Sequence, residues 1–265
     1  MADYWRQFLE QSVRNGKNGL ISDVGTGLRC AWGNCALPIT NAYYLTEPVA
    51  DASTLGGQME AARRDVAARP ALPWLFYAST DSVGTLGFEA LDAIGAQHGL
   101  SPFMNMREMT ANVDQLRAPK RPLPAVEYER VSSQAAVRDV LAINMAAYGM
   151  PMEIVDSSLE SGMFLSGKGP ECGILARVNG EPVSTATVVV VNGILYVALV
   201  ATAQDHRQRG YADAAMRKAL LTAASEFGIH KAALDATAMG EPVYAAMGFE
   251  PTGTEWRILM DAAHT

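Results

Sequence analysis

The sequence predicts a mixed α/β fold arranged as two consecutive modules. Hydrophobic residues make up 49% of the 265 residues, which is enough for a sizeable core. Helix-like and strand-like segments alternate along the whole chain. The proline-rich segment 118–124 interrupts this alternation, because proline fits neither a helix interior nor a central strand. We therefore predict a first domain over residues 1–118, a linker over 119–125 and a second domain over 126–265.

The first module is predicted to begin with a helix and to follow the order αββαβαβ. Apolar residues recur at helical spacing in 4–14, and the continuous apolar run 73–78 is typical of a buried strand. The predicted helices are 4–14, 55–68 and 83–98, and the predicted strands are 28–32, 42–46, 73–78 and 104–110.

The second module is predicted to contain a buried β-hairpin. The pair Asn192-Gly193 separates two β-branched runs, and a two-residue type I′ turn favours this pair because both positions need a positive φ. The apolar stretch 185–203 is therefore two strands rather than a membrane-spanning helix. The predicted helices are 135–148, 157–165, 211–227 and 241–247, and the predicted strands are 171–178, 183–191, 194–202, 231–235 and 249–259.

Charge and cysteine content narrow the range of partners. The formal net charge of -7 disfavours general binding to nucleic acid. Cys30, Cys35 and Cys172 are too few for a disulfide framework, and no histidine lies near the first two, which argues against a zinc site. The start of the sequence has no apolar core of a signal peptide. We expect a cytoplasmic protein with no metal, nucleic-acid or membrane partner.

The segment 200–212 has the composition of an anion site. It runs from the end of a predicted strand through a short basic loop into a predicted helix. A helix N-terminus presents unpaired backbone N–H groups, and Gly210 allows close approach of a ligand. Arg207 and Arg209 add positive charge to an otherwise acidic chain. These residues suit a phosphate or pyrophosphate; the equally weighted alternative is a solvated loop with two surface arginines.

Two motifs carry a resemblance to a known family. Residues 207–212 (RQRGYA) resemble the Q/R-x-x-G-x-G/A signature of the GNAT superfamily of N-acyltransferases. Residues 239–249 (MGEPVYAAMGF) are similar to a later motif of that family, in which a helix carrying a tyrosine leads into Gly-Phe. The resemblance covers about 126–259. It implies a mixed, mostly antiparallel central sheet flanked by helices, and an acyl-CoA-dependent N-acyltransferase that uses acetyl-CoA and no metal.

The resemblance also implies roles for particular residues. Backbone N–H groups of 208–212 would hold the CoA pyrophosphate, and main-chain groups around Val200 and Thr202 would pair with the pantetheine arm. Tyr244 would protonate the leaving thiolate, which a phenol with a pKa of about 10 can do near neutral pH; the alternative is a packed aromatic. The implied cofactor-binding residues are Val200, Ala201, Thr202, Arg207, Gln208, Arg209, Gly210, Tyr211 and Ala212.

The sequence does not identify the general base or the acceptor. The resemblance implies that an amine attacks the thioester directly, in a ternary complex, and that 147–152 and Met163 lie near the acceptor. Thr237 stands where many family members have asparagine, and His206 is expected to be exposed rather than catalytic. The candidate bases are Glu153, Asp156, Glu160, Asp235 and a water relay.

The first module lacks the basic glycine loop. Its corresponding segment, 47–51, is acidic and unsuited to pyrophosphate. We predict a degenerate GNAT-like copy without cofactor that packs against the catalytic half. The alternative function is a non-catalytic module that binds acyl-CoA for regulation. We expect the acceptor to be a small-molecule or peptide amine. The sequence does not decide between a monomer and a homodimer.

Overall fold

The computed structural model describes residues 4–261. The helices are α1 (Tyr4–Asn15), α2 (Ala52–Val66), α3 (Thr80–Val83), α4 (Gly87–Gln97), α5 (Gln134–Ala147), α6 (Glu153–Ser161), α7 (Tyr211–Phe227) and α8 (Glu241–Met247). The strands are β1 (Leu20–Gly25), β2 (Leu28–Trp32), β3 (Asn41–Leu45), β4 (Leu75–Ser79), β5 (Leu100–Asn112), β6 (Glu127–Arg130), β7 (Glu171–Val178), β8 (Glu181–Val191), β9 (Ile194–Thr202), β10 (Lys231–Ala236) and β11 (Glu250–Asp261).

One 11-stranded sheet runs through both halves of the chain, in the order β1-β2-β3-β4-β11-β5-β10-β9-β8-β7-β6. Within residues 4–261, the pairs β3–β4 and β9–β10 are parallel and the other neighbours are antiparallel. The predicted fold class, a mixed and mostly antiparallel sheet flanked by helices, is confirmed.

The last strand of each half pairs with the other half. β11 lies between β4 and β5, so that Trp256 is opposite both Ser79 and Met106. β5 in turn pairs with β10, which brings Glu108 opposite Asp235. The two halves therefore share a sheet through exchanged strands, and their division at residues 119–125 stays a prediction.

Three apolar clusters cover the two faces of this sheet. On one face, α1 and α5 bury a single core that reaches across both halves, from Tyr77 in β4 to Tyr196 in β9. On the other face, α2 and α4 cover the first half, and α7 and α8 cover the second. Helix α1 is thus the element that joins the cores of the two halves, since Trp5 stacks on Tyr77 and Phe8 stacks on Tyr196.

The predicted hairpin is confirmed in its residues and its turn. Val191 pairs with Ile194, and Asn192 and Gly193 have φ values of 45° and 76°. The predicted helix 83–98 is wrong in part, because Gly84 and Gly87 take positive φ values and separate α3 from α4. The edge strands β1 and β6 and the earlier start of α6 were not predicted, since their residues are mixed in polarity.

Within residues 4–261, no helix is both long enough and apolar enough to cross a membrane. Cys30 and Cys172 are buried free thiols in β2 and β7, and Cys35 is a buried free thiol in the loop after β2. Burial raises the pKa of the Cys30 thiol to about 12, so this thiol is not poised for nucleophilic chemistry.

Candidate active site

The two parallel strands of the second half separate part-way along their length. β9 pairs with β10 only at Leu195 and Tyr196, which face Ala232 and Ala233. The other edge of β9 stays paired with β8 as far as Thr202. In the described part of the chain, the second half of β9 thus has one edge without a partner strand. Backbone N–H and C=O groups along such an edge can pair with an extended ligand.

A bulge reshapes β9 beside this opening. Leu199 has a φ of 50°, and the register between β8 and β9 shifts between Thr185 and Thr187. A positive φ is costly for a branched side chain, so surrounding contacts must hold it. The buried side chain of Asn144 donates to the carbonyl of Leu199 at 3.3 Å. Sequence reasoning missed Leu199, because nothing in an apolar run marks the position where a strand bulges.

The loop after β9 leads into an open helix N-terminus. A turn of 3-10 helix, Gln204–His206, precedes Gln208 and Gly210, whose φ values are 63° and 85°. Gly210 is the N-cap of α7 and has no side chain that could accept a hydrogen bond from the N–H groups of the first turn. Those N–H groups and the positive end of the helix dipole form an anion-binding surface. The assignment of residues 208–212 to a pyrophosphate stays a prediction.

Arg207 is used differently from Arg209. The Arg207 guanidinium donates to the carbonyls of Thr202 and Ala147, each at 3.3 Å, and so ties the loop to β9 and to the end of α5. Arg209 is exposed. Arg207 therefore stabilises the conformation of the loop. Arg209 is the one of the two predicted basic residues whose side chain is exposed to solvent.

The segment 119–125, which the sequence predicts as a linker, also contacts this loop. Arg121 donates to the carbonyl of Gln208 at 2.7 Å. A Cβ added at Gly210 would lie 3.3 Å from the Cδ of Pro124. The linker thus lies against the predicted cofactor loop rather than away from the site, a contact that sequence alone did not indicate.

His206 is half-buried rather than exposed, which corrects the expectation from sequence. Its ring packs edge-on to Tyr211 with the centroids 5.7 Å apart. Its Nδ1 has no hydrogen-bond partner among residues 4–261. The ring therefore belongs to the packing of the loop against α7.

Tyr244 lies on α8 with its ring folded over Gly240. A Cβ at Gly240 would stand 2.8 Å from the ring Cε2 and 3.2 Å from the hydroxyl, so only glycine leaves room for this position. Burial raises the pKa of Tyr244 above its ordinary value, and the nearby Tyr148 hydroxyl adds to the effect. The phenol therefore stays protonated at neutral pH, as a proton donor must.

Among the candidate bases, Asp235 is the one that lies at the opening between β9 and β10. The hydroxyl of Tyr196 donates to its Oδ2 at 2.8 Å. Opposite it on β5, the 3%-exposed Glu108 accepts a 2.9 Å hydrogen bond from Thr252. The site thus holds two neighbouring carboxylates under α1.

The other three candidate carboxylates lie elsewhere. Asp156 is exposed and pairs with Arg138 on the surface. Glu153 and Glu160 are exposed on α6. None of the three belongs to the opening between the strands.

The predicted acceptor segment divides into an exposed and a buried part. Tyr148 and Met152 are 46% and 49% exposed at the end of α5 and the start of α6. Met163 is buried in the core instead, where a Cβ added at Gly16 or Gly33 would stand 2.6 Å from its side chain. The expectation that Met163 lines a pocket for the acceptor is not supported, because its side chain fills the space between α1 and β2.

Comparison with known proteins agrees with this geometry. Residues 140–249 match the acetyltransferase (GNAT) family. These residues form a GNAT acetyltransferase domain. The match runs from α5 to the start of β11, and so includes the opening between β9 and β10, the Gly210 loop and Tyr244. No curated protein matches the chain.

Solved structures share the fold over the whole chain. A GCN5-related N-acetyltransferase from Kribbella flavida has 20% identity and a TM-score of 0.70, covering 98% of this chain and 95% of its own. A functionally unknown conserved protein from Staphylococcus epidermidis has 12% identity and a TM-score of 0.70, covering 92% and 94%. A GCN5-related N-acetyltransferase from Sphaerobacter thermophilus has 14% identity and a TM-score of 0.61, covering 90% and 81%. The half before the GNAT domain is thus part of a recurring fold.

Proposed function

We propose that this protein is an N-acetyltransferase that transfers an acetyl group from acetyl-CoA to an amine by direct attack in a ternary complex. The observation that carries the proposal is the unpaired edge of β9, which the loop 203–210 connects to the N-terminus of α7, where the N-cap is a glycine. Such an arrangement offers main-chain partners to an amide-bearing arm and N–H donors to its pyrophosphate. A GNAT domain over 140–249 supports the same co-substrate.

The co-substrate would be held mainly by the backbone. The N–H groups of 208–212 would bind the pyrophosphate, with Arg209 adding charge from the rim. Main-chain groups of 200–202 would pair with the pantetheine arm, although the Thr202 carbonyl is shared with Arg207. The Leu199 bulge breaks the regular strand beside the opening, and a backbone N–H there could stabilise a developing oxyanion. Bound acetyl-CoA supplies an activated thioester.

Asp235 and Tyr244 accept and donate the two protons that the reaction transfers. As the amine nitrogen forms its bond to the carbonyl carbon and the carbon–sulfur bond breaks, the amine loses a proton and the thiolate gains one. Asp235, at the opening, accepts the first proton. Tyr244, kept neutral by burial, donates the second. Holding both substrates together supplies much of the rate, since orientation alone removes a large entropic barrier.

Two measurements test the proposed function. Calorimetry with CoA and acetyl-CoA tests the cofactor site, and release of free CoA thiol in the presence of a panel of primary amines tests transfer. We expect both binding and amine-dependent release. Binding without release for any amine would favour the non-catalytic regulatory module, and absence of binding would remove the assignment altogether.

A further inference from the structure

The segment 117–125 is basic in an otherwise acidic chain. It contains Arg117, Lys120 and Arg121, and no aspartate or glutamate occurs between residues 115 and 126. The formal net charge of the whole chain is -7. A bound anion responds mainly to the charges nearest to it, so a basic segment of this kind can attract a phosphate group despite the acidic total.

The structure fixes this segment against the GNAT domain at two points. At its start, the N–H of Arg117 donates to the carbonyl of Met247 at 2.9 Å, at the end of α8. Farther along, the Cδ of Pro124 lies 3.3 Å from the position that a Cβ would take at Gly210. The prolines of the segment restrict its backbone further. The segment therefore holds Arg121 beside the loop that leads into α7.

Arg121 lies on the outer side of that loop. Its Nη2 donates to the carbonyl of Gln208 at 2.7 Å. This carbonyl and the N–H of Arg209 belong to one peptide bond, which is trans, so they point in opposite directions. The Arg209 N–H is among the donors proposed for the pyrophosphate. Arg121 is therefore placed to meet a different phosphate group, outside the set of backbone donors.

The Arg121 guanidinium keeps its charge and most of its donors for a ligand. A guanidinium has five N–H donors, and the bond to the Gln208 carbonyl is the only side-chain hydrogen bond of Arg121 within residues 4–261. That acceptor is neutral, and Arg121 forms no ion pair in the described part of the chain. The residue is exposed, so a ligand can reach it from solvent.

We propose that Arg121 binds the 3′-phosphate of CoA. This inference rests on the proposed function, because it concerns the same co-substrate. CoA carries this phosphate on its ribose, in addition to the pyrophosphate, and a guanidinium can bind a phosphate through two parallel N–H donors. Arg121 precedes residues 140–249, which match the GNAT family. The segment between the two halves thus contributes to the choice of co-substrate.

Calorimetry with CoA and 3′-dephospho-CoA at low salt tests this proposal on the full chain. The parent protein is expected to bind CoA about tenfold more tightly than 3′-dephospho-CoA, because a hydrogen bond between charged groups contributes a factor of this order. Arg121→Met should remove this preference by weakening CoA binding, with the affinity for 3′-dephospho-CoA unchanged. Arg121→Lys keeps the positive charge and should restore part of the preference.

Arg64→Met is the matched control. Arg64 is exposed on α2, where it pairs with Glu60 in the first half of the chain. The control removes one positive charge from the total, as Arg121→Met does, and should keep the preference of the parent. Melting temperatures check that each variant is folded.

Equal affinity of the parent for the two ligands would overturn the proposal, and so would a preference that persists in Arg121→Met. An equal loss of affinity for both ligands in Arg121→Met would mean that Arg121 only supports the Gln208 carbonyl, which also overturns it. In each of these results the parent still binds CoA, so the proposed function stands. Absence of CoA binding to the parent would remove both.

Discussion

The hydroxyl of Tyr196 donates a 2.8 Å hydrogen bond to Oδ2 of Asp235, two residues beyond the last residue of β10 that pairs with β9. This bond holds the carboxylate at the point where β9 and β10 separate. Tyr196 belongs to the core under α1, so the bond connects that core to the carboxylate at the proposed catalytic opening. The contact gives the buried Tyr196 hydroxyl a hydrogen-bond partner in a mostly aliphatic strand.

Asp235→Asn is expected to lower kcat by about 100-fold or more, which is the usual contribution of a general base. The amide keeps the shape of the side chain but cannot accept a proton from the amine. Steady-state assay of CoA release measures the effect, and calorimetry should find CoA affinity unchanged. Asp156→Asn is the matched control, because that carboxylate pairs with Arg138 on the surface. Parent-like turnover in Asp235→Asn would leave a water relay as the base.

Tyr244→Phe is expected to lower kcat with little change in CoA affinity. The substitution removes the proposed proton donor and keeps the ring that packs near Phe249, whose centroid lies 6.3 Å away. Tyr128→Phe, on the edge strand β6, is the control and should retain full activity. If Tyr244→Phe keeps the parent kcat, the leaving thiolate takes its proton from another source.

Gly240→Ala is expected to reduce turnover by moving the Tyr244 ring. The new methyl group would stand 2.8 Å from the ring, closer than real Cβ contacts allow, and the ring would have to shift. Gly57→Ala is the control: a Cβ there meets nothing within 4 Å, and removing a glycine from a helix should leave the protein as stable or more stable. Melting temperatures separate the two effects, since a lower kcat at an unchanged melting temperature identifies displacement of Tyr244.

Alkaline pH is expected to destabilise the protein through its buried tyrosines. Burial is the largest cause that raises the pKa values of Tyr43, Tyr44, Tyr77 and Tyr196 above the ordinary value of about 10. Above that pH the unfolded chain loses phenolic protons that the folded chain retains, so stability is complete below about pH 10 and falls as the pH rises further. Each such tyrosine lowers the free energy of unfolding by up to about 1.4 kcal/mol per pH unit.

Urea unfolding between about pH 8 and about pH 11 measures this decline. Tyrosinate absorbance recorded in parallel should rise together with unfolding rather than before it. A free energy of unfolding that stays constant to about pH 11 would mean that these hydroxyls titrate normally.

Separate expression of 1–125 and 126–265 tests how far the halves are independent. Because β11 pairs with β4 and β5, and β5 with β10, each fragment lacks strands that complete its sheet. We expect neither fragment to unfold cooperatively by itself, and co-expression to restore a complex that binds CoA. A cooperative transition of 126–265 alone would show that the GNAT domain closes its sheet without β5.

The local features of the fold were predictable because short-range chemistry determines them. Asn192 and Gly193 specify the hairpin turn through their tolerance of positive φ, and the Gly210 loop is identified by its residues. Tyr244 was found from its motif, but its approach to Gly240 depends on the fold of α8. Helix 83–98 was mispredicted because apolar periodicity outweighed the breaks at Gly84 and Gly87.

The remaining features depend on partners distant in sequence. Nothing in residues 250–261 indicates that β11 lies between two strands of the other half. The candidate base could not be chosen from the sequence, since Asp235 differs from Asp156 only in its surroundings. The sequence does not indicate the bulge at Leu199 for the same reason, because Asn144 contacts it from helix α5.

The exchanged strands also bear on synthesis by the ribosome. β4 gains its second neighbour only when β11, the last strand, has left the exit tunnel. Until then the nascent chain carries an unpaired β4 edge, which is a template for pairing with other chains. Contacts of such high sequence separation form slowly. Chaperones that shield emerging polypeptides should therefore raise the yield of this protein more than that of a single-module acetyltransferase, whose sheet closes within its own segment.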